Sequence, residues 1–226
     1  MVARFRDYLL RGEANGPAGN AFDVQGRLYT CETRTRRVTR TDRAGKIEVL
    51  ADKWDGKRLN APNSITVTKN GSVYFTDPAF GVQSDHRELD FYGVYHIPIK
   101  GPMALVAKYA TRPRGIALSP NNRTLYISNA DDRNVRAFDL DKNGEPSNER
   151  VLIAKIDGIP GGMTVDDKGL IYIVANGIGV YSPDGKRVHR IEIRERTSAC
   201  VFGEADLKSL FLTARGDVYR ARPEPK

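Results

Sequence analysis

Cysteine, histidine and tryptophan are scarce in this chain of 226 residues, which has two, three and one of them. Cys31 and Cys200 stand far apart, with no Cys-x-x-Cys and no histidine at metal-ligand spacing. Neither a disulfide scaffold nor a zinc site is suggested, and both thiols read as buried and free. Long apolar runs are missing as well. The densest, Ile171-Tyr172-Ile173-Val174-Ala175, falls far short of the roughly 18 residues that a membrane-spanning helix needs, so no helical span and no membrane partner is expected. The first residues, Met1-Val2-Ala3-Arg4-Phe5-Arg6-Asp7, lack the apolar core of a secretory signal. As given, the chain reads as cytoplasmic; a periplasmic or secreted protein stays open if this is not the natural start. No Ser, His and Asp set stands in a nucleophile-elbow context, which disfavours an acyl-enzyme hydrolase.

What is present is ordinary globular composition, 40% hydrophobic and 28% charged, with a formal charge of +8. A basic excess permits attraction to anionic ligands or nucleic acid without establishing either. The densest basic stretch, Arg34 to Arg43, alternates as the wet face of a strand does. No aromatic platform is interleaved with its arginines, so nucleic acid is the least supported partner.

A repeat decides the architecture. A turn followed by an aromatic recurs at Gly26-Arg27-Leu28-Tyr29, Gly71-Ser72-Val73-Tyr74, Arg123-Thr124-Leu125-Tyr126, Gly169-Leu170-Ile171-Tyr172 and Lys208-Ser209-Leu210-Phe211. The aromatics are 45, 52, 46 and 39 residues apart. Short apolar strands precede each turn and alternating strands follow it, with period 2 and with Gly, Asn and Asp between them. Units of this length with four short antiparallel strands predict a β-propeller, an all-β fold. The whole chain, 1–226, then reads as one propeller domain with blades near 17–60, 61–111, 112–157, 158–196 and 197–222.

Propeller geometry brings the starts of the inner strands and the loops between second and third strands to one entrance. The inner strands start in a shared form: Pro17-Ala18-Gly19, Pro62-Asn63-Ser64, Pro113-Arg114-Gly115, Pro160-Gly161-Gly162 and the divergent Thr197-Ser198-Ala199. The ring position is therefore Ala18, Asn63, Arg114, Gly161 and Ser198. A long loop, Gly81 to Asp90, is a candidate lid in which His86, flanked by Asp85 and Glu88, is a candidate base. Asn63, Arg114, Ser198, His86 and Glu88 are the candidate substrate-binding residues. His96 and His189 fall in strands, where packing or exposure accounts for them, and Asp77 in Thr-Asp-Pro reads as a turn cap.

The strings Leu59-Asn60-Ala61-Pro62-Asn63, Tyr74-Phe75-Thr76-Asp77-Pro78-Ala79-Phe80-Gly81, Arg114-Gly115-Ile116-Ala117-Leu118-Ser119-Pro120, Val135-Arg136-Ala137-Phe138-Asp139-Leu140 and Phe211-Leu212-Thr213-Ala214-Arg215 resemble the senescence marker protein 30, gluconolactonase and luciferin-regenerating enzyme family. The resemblance runs from about Asn15 to Arg222. It implies a six-bladed lactonase-type propeller, of which about five blades are present here. It also implies a divalent cation, commonly calcium, in the channel, and metal-assisted hydrolysis of a sugar lactone or related ester. The family's metal is held by a first-blade Glu, an Asn in Pro-Asn-Gly and an Asp in Pro-Asp-Gly, with a further Asn from an Asn-Asp step. Only Asn63 matches, with Ser64 in place of the Asp; the other steps read Pro113-Arg114-Gly115 and Pro160-Gly161-Gly162, and the first-blade Glu finds no counterpart.

Calcium seeks six to eight hard oxygens. This ring offers one amide, one hydroxyl and no carboxylate, and an inward Arg114 about 4 Å from a cation would oppose it by several kcal/mol. Cation binding is expected to be weak or absent. Residues 3–10 look like the outer strand of a blade whose other strands are absent. Either five blades close, with residues 3–10 completing the last, or the chain is a shortened six-bladed form, the reading preferred here. Two functions follow: a lactonase or esterase by resemblance, or a propeller that binds a small ligand, such as a sugar acid, without turnover.

Overall fold

The computed structural model describes residues 17–214 and 217–222; the strand expected at residues 3–10 and the expected match at Arg215 lie outside them. The chain divides into two compact units, residues 1–112 and 113–226. In the first, β1 (Pro17–Phe22), β2 (Leu28–Glu32), β3 (Arg37–Thr41) and β4 (Ile47–Ala51) form one antiparallel sheet in chain order. A two-stranded hairpin follows, β5 (Lys53–Trp54) with β6 (Lys57–Arg58). The second sheet is β7 (Ile65–Val67), β8 (Val73–Asp77), β9 (Tyr92–Ile97) and β10 (Ala104–Tyr109), with a 3-10 helix at Gly81–His86 between β8 and β9.

The second unit holds two four-stranded sheets and one of three strands. The first is β11 (Pro113–Leu118), β12 (Thr124–Asn129), β13 (Asn134–Leu140) and β14 (Pro146–Ile153). The next is β15 (Met163–Val165), β16 (Ile171–Ala175), β17 (Gly177–Tyr181) and β18 (Arg187–Ile191). Among the described residues the last is β19 (Thr197–Gly203), β20 (Ser209–Ala214) and β21 (Asp217–Ala221). These five antiparallel meanders are the blades of an all-β propeller fold, and the recurring aromatics all stand on second strands.

Local chemistry explains why the hairpins repeat. After β1, Asp23 accepts from the backbone N–H groups of Gln25 and Arg27, both at 2.9 Å. After β15, Asp166 does the same for Lys168 at 3.0 Å and Leu170 at 2.8 Å. Such a side chain replaces the backbone partners that a tight turn cannot supply, and the turn closes through a glycine at positive φ, 74° at Gly26 and 85° at Gly169. Both carboxylates also reach the aromatic of the next strand, Tyr29 at 3.2 Å and Tyr172 at 3.3 Å.

Each unit buries apolar side chains between neighbouring blades. In the first, Tyr29, Cys31 and Val38 meet Ile65, Phe75 and Tyr95. In the second, Tyr126, Val135 and Ala137 meet Met163, Ile171 and Ile173, and on the far side of that blade Tyr172, Val174 and Ile178 meet Cys200, Leu210 and Leu212. Each such side chain, fully buried, contributes about 1.5–3 kcal/mol. On the last blade the alternate side chains of β19 and β21 are open to solvent, Val201 at 57% and Val218 at 63%.

Candidate functional site

The shared Pro-x-Gly form has a physical cause. In β1, β11 and β19 the pairing with the second strand slips just after the first residue, between Pro17 and Asn20, Pro113 and Ile116, and Thr197 and Ala199. Each slip is a bulge that re-aims the middle residue, which is Ala18, Arg114 or Ser198. The residue after it lies against the next blade. A Cβ on Gly19 would stand 2.5 Å from the Asn63 carbonyl oxygen, and one on Gly115 would stand 2.4 Å from that of Gly161. At Gly162 the obstacle is the Cα of Ala199, at 2.9 Å. Glycine at the third position thus lets successive blade starts touch.

Within the first unit, this contact fixes Asn63. Its carbonyl accepts from the Gly19 N–H at 2.6 Å and its own N–H donates to the Thr76 carbonyl at 2.9 Å. Thr76 N–H in turn donates to Ser64 O at 2.9 Å. The Asn63 side chain is half-buried, and Ser64 Oγ donates to its Oδ1 at 3.4 Å.

Within the second unit, Ser128 Oγ joins two blade starts, accepting from Gly115 N–H at 2.8 Å and donating to Gly161 O at 3.2 Å. Gly162 N–H donates to Ser198 O at 3.1 Å. The exposed Ser198 hydroxyl lies 2.8 Å from that of Thr213. Arg114 is half-buried, and burial first, then the neighbouring Arg196 cation, hold its guanidinium below its usual value.

The expected lid residues have different surroundings. His86 ends the 3-10 helix and is exposed. Glu88 accepts from Arg58 N–H at 2.9 Å and from Arg36 Nη1 at 3.3 Å. The Arg58 N–H and the two guanidiniums keep its carboxyl below the usual range. His189 is exposed on β18, whereas His96 is fully buried, its ring stacked on Tyr74 with centroids 4.5 Å apart.

Asp77 is the residue that sequence reasoning undervalued. It is fully buried at the end of β8, and it caps no local turn: its Oδ2 accepts from Asn60 N–H at 2.7 Å and its Oδ1 from Ala61 N–H at 2.8 Å. Burial outweighs these bonds and pushes its carboxyl up to about 7. The available hint was a carboxylate closing a strand with no other charged residue, Val73-Tyr74-Phe75-Thr76-Asp77.

Asn63, Arg114, Gly161 and Ser198 supply no carboxylate, and among the described residues no three His, Cys, Asp or Glu side chains gather as a metal ion would require. No helix among those residues is long and apolar enough to cross a membrane.

Comparison with known proteins gives the lineage. Residues 10–216 match the family model described as SMP-30/Gluconolactonase/LRE-like region. The Gluconolactonase of Zymomonas mobilis is 32% identical in an alignment of 231 positions that covers 93% of this chain and 65% of that protein. A gluconolactonase structure from Xanthomonas campestris superposes with a TM-score of 0.80 at 32% identity, over 88% of this chain and 69% of that one. Regucalcin from Agrobacterium tumefaciens, described as a calcium-binding protein, shares the fold with a TM-score of 0.64 at 20% identity, over 87% of this chain and 81% of its own. Five propeller blades, bulged Pro-x-Gly starts and a match along nearly the whole chain agree: this chain belongs to the SMP-30/gluconolactonase/LRE-like family.

Proposed function

We propose that this protein hydrolyses a sugar lactone or a closely related ester, with Asn63 as a side chain that meets the ligand. The observation that carries this reading is the 32% identity to a gluconolactonase along 93% of the chain, joined to an Asn63 backbone held at both its N–H and its carbonyl. A carboxamide carried on a backbone held in this way can hydrogen-bond a lactone carbonyl or ring hydroxyl. The chain spans 65% of the length of the Zymomonas protein.

A second reading has one observation in its favour. Arg114 is a half-buried cation with Arg196 as a like-charged neighbour, an environment that an anion would relieve. On that reading the ligand is the sugar acid, held without turnover.

The test is hydrolysis of glucono-1,5-lactone by the purified protein, followed as proton release against the spontaneous rate, with calcium and with chelator. Turnover above background supports the hydrolase. Absence of turnover with calorimetric binding of gluconate, lost in Arg114→Ala, supports the second reading. Neither turnover nor binding defeats both.

A further inference from the structure

The segment leading into Asn63 is held almost entirely by side chains from elsewhere in the first unit. Arg36 Nε donates to the Leu59 carbonyl at 2.5 Å, and its Nη2 to the Arg58 carbonyl at 3.3 Å. Glu88 takes the Arg58 N–H, and Asp77 takes the N–H groups of Asn60 and Ala61. The Asn60 amide donates to the carbonyls of Asp77 at 3.1 Å and Phe91 at 2.9 Å, which ties the strap to β8 and to the approach to β9. Pro62, buried and fixed in φ, then connects this strap to Asn63. Thr76, the residue before Asp77, takes the Asn63 N–H.

We propose that Asp77 is a positioning residue: its buried carboxylate, gripping Asn60 and Ala61 while Thr76 grips Asn63, sets where the Asn63 carboxamide stands. The proposal rests on the reading of Asn63 as ligand-facing. Each Asp77 oxygen takes one of two consecutive buried N–H groups, and buried N–H groups need a partner. An amide in its place has one oxygen for two donors and turns its NH2 toward the second. Among the described residues, the titratable groups that interact electrostatically with Asp77 include the Cys31 thiol of β2, the Tyr95 hydroxyl of β9 and the Arg36 guanidinium, the last a cation.

The experiment is a pair of NMR measurements on the whole chain, with kinetics beside them. In Asp77→Asn, the amide signals of Asn60 and Ala61 and both backbone and side-chain signals of Asn63 should move, while signals of β13 stay in place. In the wild type, the Asp77 carboxyl carbon should titrate between pH 5 and pH 9, and the Asn63 signals should follow with the same midpoint. Asn63 signals that stay fixed while those of Asn60 and Ala61 move overturn the proposal, and the wild-type titration decides this even if the variant does not fold. A carboxyl carbon that fails to titrate, with Asn63 unchanged in the variant, overturns it equally.

With glucono-1,5-lactone, Asp77→Asn should lose about tenfold to a hundredfold in kcat/KM at an unchanged circular dichroism spectrum, because the loss comes from misplacement rather than unfolding. A wild type without turnover defeats the functional reading alone; the NMR result still decides the role of Asp77.

Discussion

Gly19→Ala is the sharpest test of why the blade starts carry glycine. The new Cβ would stand 2.5 Å from the Asn63 oxygen, 2.7 Å from Ser64 Cα and 3.1 Å from Ile65 N, all backbone atoms that cannot swing aside. A relaxed carbon–oxygen contact is about 3.2 Å, so roughly 0.7 Å must be relieved by moving one blade start against the other. Overpacking of this kind costs about 1–3 kcal/mol. The 2.6 Å bond from Gly19 N–H to Asn63 O lies in the same contact and loses about 1 kcal/mol more. The sum is about 2–4 kcal/mol.

Gly45→Ala is the control: a Cβ there meets nothing within 4 Å, and the cost is that of a non-glycine at φ +87°, about 1–2 kcal/mol. The sole tryptophan, Trp54, lies 5.4 Å from Tyr95 in the first unit, so its fluorescence during urea unfolding reports the unit that contains Gly19. With a slope of about 2 kcal/mol per molar urea, Gly19→Ala should lower the midpoint by about 1–2 M. A shift no larger than that of Gly45→Ala would refute the packing argument.

Other outcomes follow from the same structure. Ser128→Ala removes the hydroxyl that bridges Gly115 N–H and Gly161 O in a buried place, and should destabilise the second unit by about 1–3 kcal/mol in chemical denaturation; Ser128→Cys should recover little of it. Asp77 makes stability pH-dependent. Its folded value, about 7, lies above the ordinary 3.8, so the protonated form is favoured on folding. Its contribution is complete below about pH 4 and is lost as pH rises through about 7, on the order of 4 kcal/mol in all. Urea midpoints across that window should fall with pH in the wild type and flatten in Asp77→Asn. Cys31 and Cys200 are buried, and burial raises both thiols, so a thiol-specific chromogenic reagent should find none in the native protein and two in denaturant. Rapid labelling under native conditions would contradict that burial.

The blades were legible because a meander repeats its hairpin chemistry in adjacent residues: Asp23 with Arg27, or Asp166 with Leu170, is a local pattern that a single sequence displays. The glycines of the blade starts were visible as a spelling, yet their reason was not, since Gly19 and Asn63 meet across 44 positions of chain. Asp77 was misjudged on the same ground. Thr-Asp-Pro looks like a turn cap to any reading confined to neighbours, and its partners lie 17 and 16 residues upstream. Glu88 flanks the candidate base His86 in sequence, and its carboxylate lies on Arg58 and Arg36, 30 and 52 positions away. What adjacent residues decide is readable in one dimension; what closes over distance is not.

The bulged starts keep two kinds of information in different letters. At Ala18 and Arg114 proline and glycine on either side frame the bulged backbone, while the letter between them differs. Such a position is an interchangeable socket. Side-chain chemistry at such a position is separable from the backbone that carries it. In this chain the kinship of the scaffold is plain, and the letters at the blade starts include one amide, one guanidinium and one hydroxyl.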